Sequence, residues 1–435
     1  MIGFAPAAIG FAIMLGLMLV GIPVAVALFA TAVLGCLVYL GIPTLMVFGD
    51  QTWGVLNDFI LTAIPLFILL GELLVRSGVA DGMYRALTDW LRWLPGGLLH
   101  TNIASSTLFA AVSGSSVATA ATIGTVAIPT MKANRYDDRL TLGSIAAGST
   151  LGILIPPSIN MIIYGSMSNT SIGQLFAAGI LPGIVLALLF MGYILVVSLL
   201  RPERAGITPP PVPWHQRLRN LIDVLPPLAI FVLIMGSIYL GWATPSESAG
   251  VGVVGALLVT IVKRRFSIAM LHEALLSTVK ISAMILLIVV AAQFLNFVIG
   301  ILGIPQTLTR AVGTIASSPF EVLLLLIVFY FILGCFLETL SMMIATIPIV
   351  MPLVFHYGID PVWFGIFLVI MMEVALITPP LGMNLFIVQG VRGEGSIRDV
   401  MIGSFPFVLI MLAMVILLIG APSIALWLPG LIFPS

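Results

Sequence analysis

Two short segments decide the fold of this chain: LGILIPPSIN at residues 151–160 and LITPPLGMN at residues 376–384. Each places a pair of prolines, Pro156–Pro157 or Pro379–Pro380, inside an apolar stretch that is long enough to cross a lipid bilayer. A proline inside a helix removes one backbone donor and leaves a carbonyl without its partner. Because the membrane interior holds no water, every freed carbonyl needs a protein neighbour, a cavity or an ion. The paired prolines therefore predict two helices that are broken within the membrane.

The composition is typical of a helical protein that crosses the membrane many times. Of the 435 residues, 60% are hydrophobic and only 8% are charged, and the mean hydropathy is +1.23. A soluble protein of this length would need a far more charged surface. The short alternating segments of a membrane β-barrel do not occur in the sequence. Basic and acidic residues number 17 each, so the charge gives no support to nucleic-acid binding.

The chain is predicted to be a duplication with one linker between its halves. The segment GTVAIPTM at 124–131 matches ATIPIVMP at 345–352, and the two diproline segments match at nearly the same offset, about 220 residues. The linker is rich in proline and arginine. We therefore predict a first repeat over 1–200, a linker over 201–220 and a second repeat over 221–435.

Each repeat is predicted to contain a helical hairpin, a broken helix and an amphipathic helix. An apolar stretch with a small polar tip at its midpoint is typical of a re-entrant hairpin, although two ordinary short helices are the alternative interpretation. Amphipathic stretches beside a span predict helices that lie in the membrane interface. The predicted positions are 98–131 and 319–353 for the hairpins, 139–168 and 361–390 for the broken helices, and 78–97 and 266–282 for the interfacial helices.

The loop charges predict that the two repeats have opposite orientations. If the first hairpin opens to the cytoplasm and the second to the other side, sixteen of the 17 Lys and Arg residues are cytoplasmic, and only Arg310 is outside. Both termini then face away from the cytoplasm. Inverted repeats with broken helices are the architecture of secondary transporters.

The helix breaks and the first hairpin tip have groups that suit ions. Freed carbonyls at the end of a half-helix are suitable ligands for a small cation such as sodium, and the free N–H groups of the next half-helix suit a carboxylate. The first tip adds hydroxyl groups, although satisfied hydroxyls within packed helices are the alternative. The hydroxyl-bearing residues of this tip are Ser113, Ser115, Ser116, Thr119 and Thr122.

Ionisable and amide side chains mark further candidates. Glu338 lies at the second tip inside an apolar segment, which makes it a functional candidate unless it is nearer the interface. Glu72, Glu373 and Asp58 are similar but lie closer to predicted helix ends. Two asparagines follow the breaks and either cap the restarted helices, which is the preferred interpretation, or contact a substrate. They are Asn160 and Asn384.

Together these motifs resemble the large membrane subunit of the tripartite ATP-independent periplasmic (TRAP) transporters. The similar segments include FAAVSGSSVATAATIGTVAIPTM at 109–131, GCFLETLSMMIATIPIVMP at 334–352 and both diproline segments. The resemblance implies sodium-coupled import of an organic acid, such as sialic acid or a dicarboxylate, across the bacterial inner membrane by an elevator mechanism. It also implies a small four-helix membrane subunit, a soluble periplasmic substrate-binding protein, periplasmic termini, and no cofactor besides sodium as the coupling ion.

The same resemblance implies two sodium sites and a substrate site. The first sodium site would involve Ser113, Ser116, Gly334, Ala375, Thr378 and Leu381. Many members of the family have glycine in place of Ala375. The second sodium site would involve Gly152, Ile155 and Ser158, with Glu338 and Thr339 near. The substrate would lie among Ser115, Ser116, Thr119, Thr339, Asn160 and Asn384.

Two other functions are weighed against this one. A stand-alone carboxylate or ion symporter of a related family would share the architecture but need no binding protein. A membrane enzyme with a serine nucleophile would need a base, and the four histidines lie away from SGSS at 113–116. The sequence also has no HExxH motif and no P-loop. We therefore predict a transporter and not an enzyme.

Overall fold

A computed structural model describes residues 3–208, 210 and 212–433, and every regular element in these ranges is a helix. Five helices are long and apolar enough to cross a membrane alone, and seven spans result if each of two bent pairs counts as one. The predicted class, an all-helical polytopic membrane protein, is confirmed. Pro209 and Pro211 of the linker and the ends of both predicted repeats, residues 1–2 and 434–435, lie outside the described residues.

The described part of the first half forms ten α-helices, of which two belong to the hairpin and two to the broken helix. They are α1 (Phe4–Leu19), α2 (Val24–Gly35), α3 (Val47–Leu56), α4 (Ala63–Arg76), α5 (Val79–Leu91), α6 (Gly97–Ser113), α7 (Ser116–Ala133), α8 (Asp138–Thr150), α9 (Ile159–Ser168) and α10 (Ile172–Leu200).

The linker contributes one short helix, α11 (Trp214–Asn220), and the described part of the second half also forms ten α-helices. The remaining helices are α12 (Leu225–Tyr239), α13 (Pro245–Val262), α14 (Ile268–Leu302), α15 (Ile304–Gly313), α16 (Pro319–Gly334), α17 (Thr339–His356), α18 (Pro361–Ile377), α19 (Met383–Arg392), α20 (Ile397–Gly420) and α21 (Ser423–Ile432).

Both broken helices begin with an aspartate cap. The Asp137 Oδ1 accepts a hydrogen bond from Leu140 N at 2.9 Å, and the Asp360 Oδ1 accepts one from Trp363 N at 2.9 Å. These carboxylates satisfy backbone N–H groups that a helix start leaves unpaired. The two halves therefore begin their broken helices with the same residue type in the same role.

The two breaks lie in different surroundings. The first separates α8 from α9, and its residues 151–158 are all buried. The second separates α18 from α19, and its residues Pro379, Pro380 and Leu381 are exposed. Both diproline peptide bonds are cis. The first break is therefore closed within the chain, whereas the second lies on its surface.

The structure differs from the prediction at the second interfacial helix. Residues 268–282 are the first part of α14, a continuous helix of 35 residues. The charged residues of 266–282 predict a separate interfacial helix. However, α14 contains no proline or glycine before Gly300, so nothing in the sequence ends the helix at residue 282. The counterpart of amphipathic α5 is instead α15: each follows a glycine with positive φ, Gly78 or Gly303.

Two glycines allow the main chains of the two halves to touch. A Cβ atom on Gly143 of α8 would overlap the carbonyl group of Gly403 in α20, and one on Gly403 would overlap the carbonyl oxygen of Arg139. Small residues permit this close approach between membrane helices. An ion pair, Arg139 Nε to Asp399 Oδ1 at 3.0 Å, holds the same two helices near their first turns. The crossing of α8 and α20 therefore joins the halves directly.

This crossing predicts a position-specific effect of one added methyl group. Gly403→Ala forces two main chains apart, and overpacking of this kind costs about 1–3 kcal/mol. We expect a lower thermal unfolding midpoint in detergent.

The matched control is Gly420→Ala in the same helix, because a Cβ atom there meets nothing within 4 Å. We expect this control to keep the wild-type midpoint. An equal loss in both variants would contradict the close contact.

Candidate functional site

The first hairpin tip is a tight turn between α6 and α7. Gly114 has a φ of +59°, the left-handed conformation that ends α6, and a Cβ atom there would lie 2.7 Å from the carbonyl oxygen of Pro157. Ser115 then caps α7, because its Oγ accepts a hydrogen bond from Ala118 N at 3.3 Å. Glycine at 114 thus allows the left-handed turn and also allows the tip to lie close to the main chain of the first break.

The first tip packs against the first break. A Cβ atom on Gly152 would lie 2.9 Å from both the Ser115 carbonyl carbon and the Ser116 nitrogen. Any larger side chain at 152 would separate the tip from the break. The structure therefore brings the predicted residues Ser113, Ser115 and Ser116 together with Gly152 and the first diproline.

The hydroxyl groups of this tip are buried and close to one another. Ser113 is 3% exposed, Ser116 4% and Thr119 0%. The Ser113 Oγ and the Thr119 Oγ1 are 3.0 Å apart, and the Thr119 hydroxyl donates to the Ser115 carbonyl at 2.7 Å. Within the break, the Ser158 Oγ donates to the Ile153 carbonyl at 2.6 Å. Buried hydroxyl and carbonyl oxygens therefore gather on both sides of this contact.

The second tip packs against the second broken helix in the corresponding way. A Cβ atom on Gly334 would lie 2.6 Å from the Cβ of Ala375. Near the break, the Thr378 Oγ1 donates to the Val374 carbonyl at 2.6 Å, and the Thr378 carbonyl accepts from Gly382 N at 3.1 Å. Leu381 is 49% exposed.

Glu338 caps the helix that it precedes. Its Oε1 accepts from the Thr339 hydroxyl at 3.0 Å and from Leu340 N at 3.1 Å. Its Oε2 accepts from Ser341 N at 3.0 Å and from the Ser341 hydroxyl at 3.1 Å. Both oxygens of this carboxylate thus bind the first turn of α17, a role that the implied sodium site did not include.

The two asparagines after the breaks do not cap their helices, so the preferred interpretation is wrong. Ser158 caps α9, and Gly382 precedes α19. The Asn384 Nδ2 instead donates to the Ser149 Oγ of α8 at 3.0 Å, and α19 thereby contacts the first half. The Asn160 Nδ2 and the Asn384 Oδ1 are buried without a hydrogen-bond partner among the described residues. Such buried polar atoms normally have a partner, so they are available to a ligand.

The close approaches in the structure join each tip to the broken helix of its own half. Ser113 and Ser116 therefore lie beside the first break, and their implied share in a sodium site with Thr378 and Leu381 stays a prediction. Contacts between the halves are made by helices: α19 packs on α7 and α8, and α9 packs on α17 and α18. The helix positions could be predicted from sequence, but the tip-to-break pairing required the packing.

Two residues near the site were missed or underrated by the sequence interpretation. Gly71 of α4 supports the first tip, because a Cβ atom there would lie 2.7 Å from the Ser113 carbonyl oxygen. A glycine within the apolar sequence of α4 was the available signal. Glu373 was placed near a helix end, yet it is 0% exposed and neither carboxylate oxygen has a partner among the described residues. Asp58 and Glu72 instead have partners in Ser166 and Arg76.

The second tip predicts a compensating pair of substitutions. Gly334→Ala creates a clash with the Ala375 methyl group, and we expect a lower thermal unfolding midpoint. Adding Ala375→Gly removes that methyl group and leaves the Ala375 Cα, 3.2 Å away, as the nearest atom. The double variant should therefore recover most of the lost stability.

Midpoints of the wild type, both single variants and the double variant form a double-mutant cycle. Strictly additive effects would show that residues 334 and 375 do not touch.

Comparison with known proteins identifies the family. The sequence profile of the family described as "Tripartite ATP-independent periplasmic transporter, DctM component" matches residues 11–424. The C4-dicarboxylate TRAP transporter large permease protein DctM of Pseudomonas aeruginosa is 34% identical over 86% of this chain and 87% of that protein. The ectoine large permease protein TeaC of Halomonas elongata is 32% identical over 97% and 98%. The sialic acid large permease protein SiaM of Vibrio cholerae is 31% identical over 96% and 97%.

A solved structure has the same fold at low sequence identity. The YdaH transporter of Alcanivorax borkumensis superimposes with a TM-score of 0.63 and covers 96% of this chain and 98% of its own, at 14% identity. The family match extends through both hairpins and both breaks. The chain belongs to the DctM component family of TRAP transporters and is a large permease subunit, not an enzyme.

Proposed function

We propose that this chain is the large membrane subunit of a sodium-coupled importer of organic acids. The observation that carries the proposal is the buried contact between the hydroxyl-rich first tip and the first diproline break. Two of the relatives above are named for organic acids, C4-dicarboxylate and sialic acid. The family also implies two partners, a small membrane subunit and a soluble periplasmic binding protein that delivers the acid.

The first sodium ion is proposed to bind between the first tip and the first break. The ligands would be the hydroxyl oxygens of Ser113 and Ser116 and main-chain carbonyls near Gly152 and Ile155. Neutral oxygens of this kind replace the hydration shell of a small cation, and unwound backbone supplies them in secondary transporters. Burial of the tip keeps water from competing for the ion. No carboxylate is needed among these ligands.

The second sodium ion is proposed to bind at the second break, near Gly334, Ala375 and Thr378. Support comes from the matching arrangement of tip and break in the second half. The replacement of glycine by alanine at 375 leaves the carbonyl in place. Because Glu338 already accepts four hydrogen bonds from α17, its carboxylate acts on such an ion only through its charge.

The substrate carboxylate is proposed to lie at the first tip and not at the second. The start of a helix attracts an anion through its free N–H groups and the helix dipole. At α17 the Glu338 carboxylate already occupies that position. At α7 the cap is the neutral Ser115, which is half-buried. The unpartnered Asn160 Nδ2 and Asn384 Oδ1, with the hydroxyls of Thr119 and Thr339, would hold the remaining polar groups of the acid.

Transport is proposed to follow an elevator mechanism in the bacterial inner membrane, with both termini periplasmic. The hairpins and broken helices would move together, since α7, α8, α9, α17, α18 and α19 pack on one another. Helix α20 would move with them because it is fastened to α8. The other helices would form the scaffold, and amphipathic α5 and α15 would connect the two parts.

Sodium should stabilise the purified chain, and Ser116→Ala should weaken this effect. A ligand present at 100 times its dissociation constant stabilises a protein by about 2.7 kcal/mol. Removing one oxygen ligand should lower the apparent sodium affinity about tenfold, which corresponds to about 1.4 kcal/mol. The measurement is the thermal midpoint in sodium chloride against choline chloride.

The control is Ser282→Ala, which removes a buried hydroxyl in α14, a helix outside the tips and breaks. A sodium response that is unchanged in Ser116→Ala would exclude Ser116 from the site.

Uptake into proteoliposomes tests the whole proposal. The chain, the small membrane subunit and the binding protein encoded with them should import a radiolabelled organic acid only under an inward sodium gradient. A panel of dicarboxylates, keto acids and sugar acids identifies the substrate class. Full uptake without the binding protein would instead favour the stand-alone symporter.

A further inference from the structure

A surface on the linker side of the chain combines unpaired arginines with exposed aromatic and aliphatic side chains. It is formed by α5, by residues 214–223 of the linker and by residues 263–265 after α13. These segments contain six Lys or Arg residues against three Asp residues. We call this surface the basic collar, and its exposed arginines are Arg85, Arg219, Arg264 and Arg265.

The linker is docked on α5 by specific contacts, so the collar is one continuous surface. The rings of Trp90 and Trp214 lie 5.4 Å apart, and the Asn220 Nδ2 donates to the Asp89 Oδ2 at 2.7 Å. A Cβ atom on Gly82 of α5 would lie 2.7 Å from the Asp223 carboxyl carbon. These contacts hold α11 against the interfacial helix.

The segment after α13 joins the same surface. Lys263 forms an ion pair with Asp223. A Cβ atom on Gly78, just before α5, would lie 3.8 Å from the Arg265 Nε. These contacts place Arg264 and Arg265 beside the start of α5 and the end of the linker.

The acidic residues of the collar are mostly committed to other groups. Asp89 accepts from Asn220, and Asp223 pairs with Lys263. Among the described residues, none of the four exposed arginines forms an ion pair with a carboxylate. The collar therefore presents positive charge that the chain itself does not neutralise.

Several basic residues outside the collar are paired with carboxylates of the chain. Lys132 pairs with Glu394, Arg139 with Asp399, and Arg392 with Asp138. Exposed basic residues also occur singly elsewhere, such as Lys280 and Arg310, so the collar is distinguished by the clustering of its arginines on one surface. Because no carboxylate of the described residues pairs with these clustered arginines, their counter-charge is expected to come from outside the chain.

Apolar side chains beside the arginines indicate what carries that counter-charge. Trp214 is 61% exposed and Ile222 is 61% exposed, and Phe266 follows Arg265 directly. Tryptophan at such positions is typical of the membrane–water interface. A ligand that offers an anionic group next to acyl chains satisfies both parts of the surface, whereas a free anion satisfies only the arginines.

We propose that the basic collar is a binding site for anionic phospholipids, whose phosphate groups contact Arg219, Arg264 and Arg265. Clustered basic residues beside a membrane attract acidic headgroups, and the attraction is screened by salt. The site lies on the linker and the interfacial helix, apart from the hairpin tips. It does not depend on sodium binding or on the identity of the transported acid.

The test compares lipid nanodiscs of phosphatidylcholine with and without phosphatidylglycerol. Phosphatidylglycerol should raise the thermal midpoint of the wild type and remain bound in native mass spectrometry, and both effects should decline at high salt. The variant R219Q/R264Q/R265Q should lose both. Its apparent affinity for phosphatidylglycerol should fall at least tenfold, since each arginine near a membrane surface contributes roughly fivefold.

The matched control K280Q/R310Q/R398Q removes three exposed basic residues outside the collar. This control should keep the wild-type stabilisation by phosphatidylglycerol. An equal loss of stabilisation in both variants would show that the effect depends only on the net charge of the chain, and it would overturn the proposal. Inorganic phosphate added to phosphatidylcholine nanodiscs should have no effect, and full stabilisation by phosphate would identify a free-anion site instead. The lipid assay needs no sodium gradient. Its result is therefore independent of whether the uptake experiment supports sodium-coupled transport.

Discussion

Backbone groups that lose their helical partners inside a membrane must be satisfied by something else, and the site of this protein is organised by that constraint. At the first break, the Ser158 hydroxyl binds the Ile153 carbonyl, and Gly114 allows the tip to approach the Pro157 carbonyl. Glycine at 152 completes the approach from the other side. The hairpin therefore does more than fill space, because it closes a region where the helix cannot satisfy itself.

The hairpin tips and breaks of the two predicted repeats differ in their chemistry. The first tip has neutral hydroxyls and a buried break, whereas the second has a carboxylate at the start of α17 and an exposed break. A carboxylate that already binds a helix start repels a further anion, while the neutral tip does not. The two tips can thus prefer different ligands.

Much of the fold could be predicted from the sequence because hydropathy and proline breaks directly determine membrane helices. The tips at Gly114 and near Glu338, and both breaks, fall within the predicted segments. The interfacial helix at 266–282 could not be placed correctly, since amphipathic character alone does not end a helix, and α14 continues to Leu302.

The site was less predictable because its contacts join residues distant in sequence. The link from Asn384 to Ser149 and the burial of Glu373 depend on helix packing, which leaves no local pattern in the sequence. The grouping of each tip with its own break depends on glycines whose role becomes clear only from the neighbouring main chain.

The glycine contact between α8 and α20 has a mechanical consequence. Two main chains in direct contact have no flexible side chains between them to absorb a displacement. A shift of α8 is therefore expected to move α20 with it, and the pairing of Arg139 with Asp399 links the first turns of the same two helices. Helices α8 and α20 are therefore expected to move as one rigid body, although more than half the length of the chain lies between them in the sequence.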